Sequence, residues 1–150
     1  MMLDTNLIIY AAKPEYAGLR KWIAALTPAV SAVSVVEVLG YHKLTAAERT
    51  HFEAFFAACE VLPISVGVIA RAVVLRQARK MSLGDSLVGA SALEFGRELF
   101  TRNVKDFAGI SGLIVRQRRP RLILPQWQQH SQPGDGQAGR LRCADGRPGS

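Results

Sequence analysis

Cysteine is almost absent from this chain, and histidine is scarce. The two cysteines, Cys59 and Cys143, have no spacing that suits a disulfide framework or a zinc site, which argues against a stapled secreted scaffold or a zinc module. His42, His51 and His130 are scattered and lie apart from the acidic residues singled out below. Long apolar runs are missing too. The longest stretch without charge, Trp22 to Val36, is too short to span a bilayer and is interrupted by Thr27, Pro28 and two serines, so no transmembrane helix is expected. The N-terminus, Met1-Met2-Leu3-Asp4, shows no basic region followed by an apolar core, and a cytoplasmic protein without membrane association is expected.

What remains is the material for one domain. A chain of 150 residues, 49% hydrophobic, can bury a single proper core. Its formal charge of +7 is uneven: residues 1 to 115 hold 12 Lys/Arg against 10 Asp/Glu, and residues 116 to 150 hold 7 against 2. A basic balance favours contact with polyanions such as RNA, but charge gathered in a tail says little about the ligand of the body. Residues 117–150 are rich in Arg, Gln, Gly and Pro and read as a largely disordered tail behind a folded domain of residues 1–116.

Within the domain, strands and helices alternate. A short apolar run ends at Leu3, and Thr5 to Ala11 reads as a helix entered at Asp4. Pro14 and Glu15 suit a first turn, and Leu19, Trp22, Ile23 and Leu26 repeat at helical spacing up to Pro28. Ala29 to Val33 is the next strand candidate, followed by a helix opening at Ser34-Val35-Val36-Glu37. Thr45 to Glu48 has the capping-box form ahead of the stripe Phe52, Phe55, Phe56 and Cys59. Val61 to Ile64 reads as a strand, and Ser65 to Lys80 as a helix with a basic last turn. Leu83 to Phe95 is small or apolar nearly all round and therefore reads as a buried helix. Glu98 to Thr101 is a strand, residues 102–109 a loop, and Leu113 to Val115 a last strand. Five strands separated by helices predict a parallel α/β sandwich.

Four acidic residues stand out by placement. Each has an ordinary explanation: Asp4 as an N-cap, Glu37 in a capping box with Ser34, Asp85 in a first turn three residues after Ser82, and Asp106 in a solvated turn. Yet all four follow a predicted strand or open the next helix. In a parallel sheet those positions gather at the carboxyl edge, where α/β folds place their ligands. So much negative charge in one place is unfavourable without a positive partner. An all-oxygen set, with Asn103 and Thr101 nearby, suits Mg²⁺ or Mn²⁺ better than zinc. Such an ion keeps waters and can serve phosphodiester hydrolysis.

Over residues 1 to about 115 the chain resembles the PIN-domain family, and within it the VapC-like ribonuclease toxins. The resemblance rests on Leu3-Asp4-Thr5-Asn6, Ser34-Val35-Val36-Glu37, Gly84-Asp85 opening an apolar helix, and Thr101-Arg102-Asn103-Val104-Lys105-Asp106-Phe107, in that order. It implies a three-layer α/β/α fold, Mg²⁺-dependent endonucleolytic cleavage of RNA, a small inhibitory antitoxin and a homodimer. Asp4, Glu37 and Asp85 correspond to metal-site acids, Asp4 and Asp85 being the direct ligands expected first. Asp106, assisted by Asn103, is expected as the fourth acid. Thr5, Asn6 and Thr101 are expected to orient water or phosphate. Arg102 and Lys105, together with Arg79 and Lys80, are candidates to hold the RNA backbone. The first strand is shorter than the family pattern, and the basic tail lies outside it. An RNA-processing nuclease with the same site, or an inactive PIN-like RNA-binding module, remains an alternative.

Overall fold

The structure is a computed structural model and describes residues 1–118. Five short strands form one all-parallel sheet: β1 (Met2–Leu3), β2 (Ala29–Ser31), β3 (Glu60–Leu62), β4 (Leu99–Thr101) and β5 (Val115–Gln117), in spatial order β3-β2-β1-β4-β5. β1 lies at the centre, and Met2 and Leu3 pair with Ala29 and Val30 on one side and with Leu99 and Phe100 on the other. The order reverses at β1, so the crevice beyond its carboxyl end is where such a sheet binds ligands.

Strand alternation sends successive side chains to opposite faces. Leu3 and Val30 pack on one face against α1 (Thr5–Ala11), α2 (Ala17–Ala24), α3 (Ala32–Leu39) and α4 (Ala46–Ala57), through Leu7, Ile8, Ile23, Val38, Phe52 and Phe56. Met2, Ala29 and Leu99 pack on the other face against Val88 and Ala92 of α6 (Leu83–Glu94) and Phe107 of α7 (Val104–Phe107). The three-layer α/β/α fold is thus the one expected. α5 (Val66–Ala78) sits against α6 through Val68, Ala72, Leu75 and Ala90. α6 can lie this close because its middle is Gly89-Ala90-Ser91-Ala92. A Cβ on Gly89 would already touch Phe107 and Leu75 at 3.5 and 3.6 Å. Phe107 is fully buried. Burying a side chain of that size contributes roughly 2–3 kcal/mol and anchors α7 under the sheet edge.

Boundaries differ from expectation in several places; β3, for one, spans Glu60–Leu62 and not Val61 to Ile64. β2 stops at Ser31, and α3 begins at Ala32 with the Ser31 hydroxyl accepting from Val33 N at 3.2 Å. Ser31 is a good N-cap, so the helix starts one turn before Ser34. Segment 102–109 is not simply a loop, because buried Phe107 closes the single turn of α7. β5 is displaced towards Gln117, since pairing with Leu99 to Thr101 sets its register, and it therefore crosses the expected domain limit at 116. The disordered tail expected over residues 117–150 lies, from residue 119 on, outside the described residues. Among the described residues, no helix is long and apolar enough to cross a membrane.

Candidate active site

Asp4 is the residue where β1 becomes α1. Its extended backbone (φ −73°, ψ 148°) places it at the N-cap position, but its side chain caps nothing. Instead Oδ2 accepts from the Thr101 hydroxyl at 2.8 Å, and the Thr101 Oγ1 in turn accepts from Asn103 N at 3.0 Å. Asp4 is 2% exposed and Thr101 0%. Burial, followed by the charge of Asp85 and then of Glu37, raises the Asp4 carboxyl to about 6, against the lowering effect of Thr101 and the Thr5 amide. The simple capping explanation for Asp4 fails on this geometry.

Glu37 is not a capping residue either. Because α3 starts at Ala32, Glu37 falls in its second turn, on the exposed side, and its carboxylate reaches over α6. The contact is with Gly84: a Cβ there would stand 2.5 Å from Glu37 Oε1. Partial burial and then the charge of Asp85 raise the Glu37 carboxyl. Ser34, the expected cap, is buried and shares a 2.8 Å hydrogen bond with Thr5. That bond ties the start of α1 to the helix carrying Glu37. The Thr5 hydroxyl is thereby held by Ser34 at the start of α1.

Asp85 sits half-buried in the first turn of α6, its amide donating to Ser82 Oγ at 3.1 Å. Here the local helix-start pattern does hold. Burial raises its carboxyl, the Ser82 hydroxyl lowers it, and Asp106 raises it further. Asp106 is exposed on α7 and accepts from Asn103 Nδ2 at 2.6 Å. Hydrogen bonds therefore run from Asp4 through Thr101 and Asn103 to Asp106.

The carboxylates are electrostatic neighbours, yet among the described residues no three acidic, histidine or cysteine side chains converge as ligands on one point. The donor chemistry nonetheless fits a hard divalent cation: oxygen only, negative, and penalised when left uncompensated. Such an ion tolerates few protein ligands because it retains waters.

Of the other expected residues, Asn6 is exposed in the first turn of α1 and Lys105 is exposed on α7. Arg102 stacks on Tyr10, its guanidinium carbon 3.4 Å from the ring centre. Arg79 does not turn to the acids but donates to the Ala108 carbonyl. Gly84 and Ser34 are the residues the sequence reading undervalued. For Gly84 the signal is present, as a residue without a side chain beside Asp85. Cys59 packs against the core, where burial pushes its thiol up to about 11, so it is an inert residue rather than a nucleophile.

A family model, the PIN domain, matches residues 1–113. The chain belongs to the PIN-domain family. This PIN domain is similar in structure to a chain of a toxin-antitoxin complex from Klebsiella pneumoniae, with 29% identity, a TM-score of 0.62, and coverage of 81% of this chain and 98% of the other. It is also similar to a chain of VapBC2 from Rickettsia felis, crystallised with a DNA fragment from their promoter, at 22% identity, a TM-score of 0.66 and coverage of 79% and 98%. DNA-bound VapBC from Salmonella typhimurium matches at 21% identity, with a TM-score of 0.67 and coverage of 77% and 96%. The last two likenesses bear on the fold. Among curated proteins, none matches the chain.

Proposed function

We propose that this PIN domain is a divalent-metal-dependent endoribonuclease acting in the cytoplasm as the toxin of a toxin-antitoxin pair. The carrying observation is a buried Asp4 in the field of Glu37 and Asp85, three acids from distant parts of the chain brought to the carboxyl edge of one sheet. Holding such charges together is costly unless a cation completes the site. Asp4 and Asp85 would hold Mg²⁺ or Mn²⁺, with Glu37 and the Asp106–Asn103 pair completing the acidic set. When bound, such an ion stabilises charge developing on a phosphate and lowers the pKa of adjacent water.

The chain's own residues supply position. Thr101 fixes one oxygen of Asp4 and leaves the other for the site. Gly84 gives Glu37 room to approach Asp85. Asn6 and Lys105, exposed close in the chain to Asp4 and Asp106, and Arg102, stacked on Tyr10, would be substrate contacts, and cations on phosphate give affinity without reading sequence. Support for the toxin role comes from the neighbours, which are chains of toxin-antitoxin complexes. A small cognate antitoxin and a homodimeric state belong to this reading.

The test is cleavage of a mixed RNA pool by purified protein, with Mg²⁺ and with chelator, for wild type and Asp85→Asn. Metal-dependent cleavage lost in the variant supports the proposal. Equal cleavage by both proteins, or cleavage that persists in chelator, rejects it.

A further inference from the structure

β4 carries two chemistries on its two faces. Thr101 points to Asp4, whereas Phe100 turns to the opposite face by strand alternation, and Arg102, in the bend that follows β4, reaches Tyr10 of α1. Phe100 and Arg102 each meet an aromatic ring. Arg102 lies flat enough on Tyr10 to bring its guanidinium carbon to 3.4 Å from the ring centre, and Lys13 Nζ stands 4.4 Å from the same centre. Phe100 meets Trp22 at 5.5 Å, and the Arg118 guanidinium covers Trp22 at 4.4 Å. Tyr10, Trp22, Arg102 and Arg118 are all half-buried, and Lys13 is exposed. Lys13 also lines a cavity of about 460 Å³ that Glu37 borders.

We propose that this strip, Tyr10–Arg102 followed by Trp22–Arg118, is a stacking track for unpaired bases of a single-stranded RNA whose phosphate enters the acidic cluster on the other side of Thr101. The proposal rests on the ribonuclease reading and adds to it the side from which the strand arrives and the form in which it is held. Among the described residues, Arg102, Lys13 and Arg118 form no salt bridge, while Arg71, Arg97 and Arg116 each have a glutamate. Cations without carboxylate partners present positive charge for phosphates, and the Arg102 and Arg118 guanidiniums, each backed by a ring, present planar faces on which bases can stack. That interleaving is how single strands are bound without sequence readout. An acidic protein segment would use the charge but not the planar faces.

The experiment measures binding of a labelled 2′-O-methyl oligoribonucleotide, which resists cleavage, to the full-length protein in chelator. An abasic strand of equal length is the comparison. Wild type is expected to prefer the base-bearing strand about tenfold, in line with stacking of a base on an aromatic side chain. Tyr10→Leu keeps apolar bulk without the ring, and Arg102→Lys keeps the charge without the plane. Both should erase the preference and leave abasic binding nearly unchanged. In a Trp127→Phe background, Trp22 fluorescence should be quenched by the base-bearing strand and not by the abasic one. If Tyr10→Leu fails to fold, as read by circular dichroism, Arg102→Lys carries the same comparison. Retention of the preference in Arg102→Lys, equal loss of both strands, or binding of an acidic peptide in place of either strand overturns the track. No metal or cleavage enters this measurement, so a protein with base preference but no nuclease activity keeps the track and loses the ribonuclease reading.

Discussion

Thr101 at the end of β4 donates its hydroxyl to Asp4 at the end of the neighbouring β1, across 2.8 Å, with both side chains buried. This bond fixes the carboxylate of the central strand and works against the burial that raises Asp4 to about 6. An acid raised in the folded state favours its protonated form there. Between about pH 4 and pH 6 the folded chain keeps a proton that the unfolded chain has released, so the contribution of Asp4 to stability falls as pH rises through this window, and its full penalty stands at neutral pH. A shift of this size corresponds to roughly 3 kcal/mol.

Asp4→Asn therefore stabilises the metal-free protein at neutral pH by about 1–3 kcal/mol, because the amide keeps an acceptor for Thr101 and carries no charge. Thermal melts in chelator at pH 7 and pH 5 check this. The variant should melt higher than wild type at pH 7, and the gap should narrow at pH 5. A variant that melts lower at pH 7 contradicts the account of Asp4.

Gly84→Ala tests the approach of Glu37 to α6. The new Cβ would stand 2.5 Å from Glu37 Oε1, so the flexible end of that side chain must move. Alanine also suits a helix better than glycine, by up to ~1 kcal/mol. The melting temperature should hold or rise while metal-dependent cleavage drops about 10- to 100-fold, as misplacing a site group commonly does. Unchanged turnover would place Glu37 outside the site.

Two segments share the capping-box spacing, and variants should separate them. At Thr45 the box is complete: its hydroxyl accepts from Glu48 N at 3.2 Å, and Glu48 Oε2 accepts from Thr45 N at 2.9 Å. Thr45→Ala should cost about 1 kcal/mol in a denaturant melt and leave cleavage intact. Glu37→Gln should do the reverse, losing cleavage with no loss of cap stability. A Glu37→Gln protein that is destabilised like a cap variant would show that α3 starts at Ser34 after all.

That contrast marks how far the sequence could be read. The parallel α/β order was legible because each strand is a short apolar run closed by a helix-start residue, and the acids were legible because they occupy those junctions. The start of α3 was not, since Ser31 and Ser34 both suit an N-cap and only pairing of β2 with β3 ends the strand at Ser31. Hydrogen-bonding partners were also hidden. Nothing local to Thr5 names Ser34 as its neighbour, and nothing local to Arg102 names Tyr10. Both pairings come from the packing of distant elements, which residue spacing does not encode. The register of β5 depends likewise on β4 and not on the apolar run at Leu113 to Val115.

The most direct measurement is Mn²⁺ binding, followed by electron paramagnetic resonance, for wild type and the Asp4→Asn, Glu37→Gln, Asp85→Asn and Asp106→Asn variants. The account predicts a bound ion in wild type, loss of binding in Asp4→Asn and Asp85→Asn, and weakening of at least tenfold in Glu37→Gln, with Asp106→Asn affected least. Mn²⁺ bound as tightly by Asp4→Asn and Asp85→Asn as by wild type would contradict the metal site on which the proposed nuclease depends.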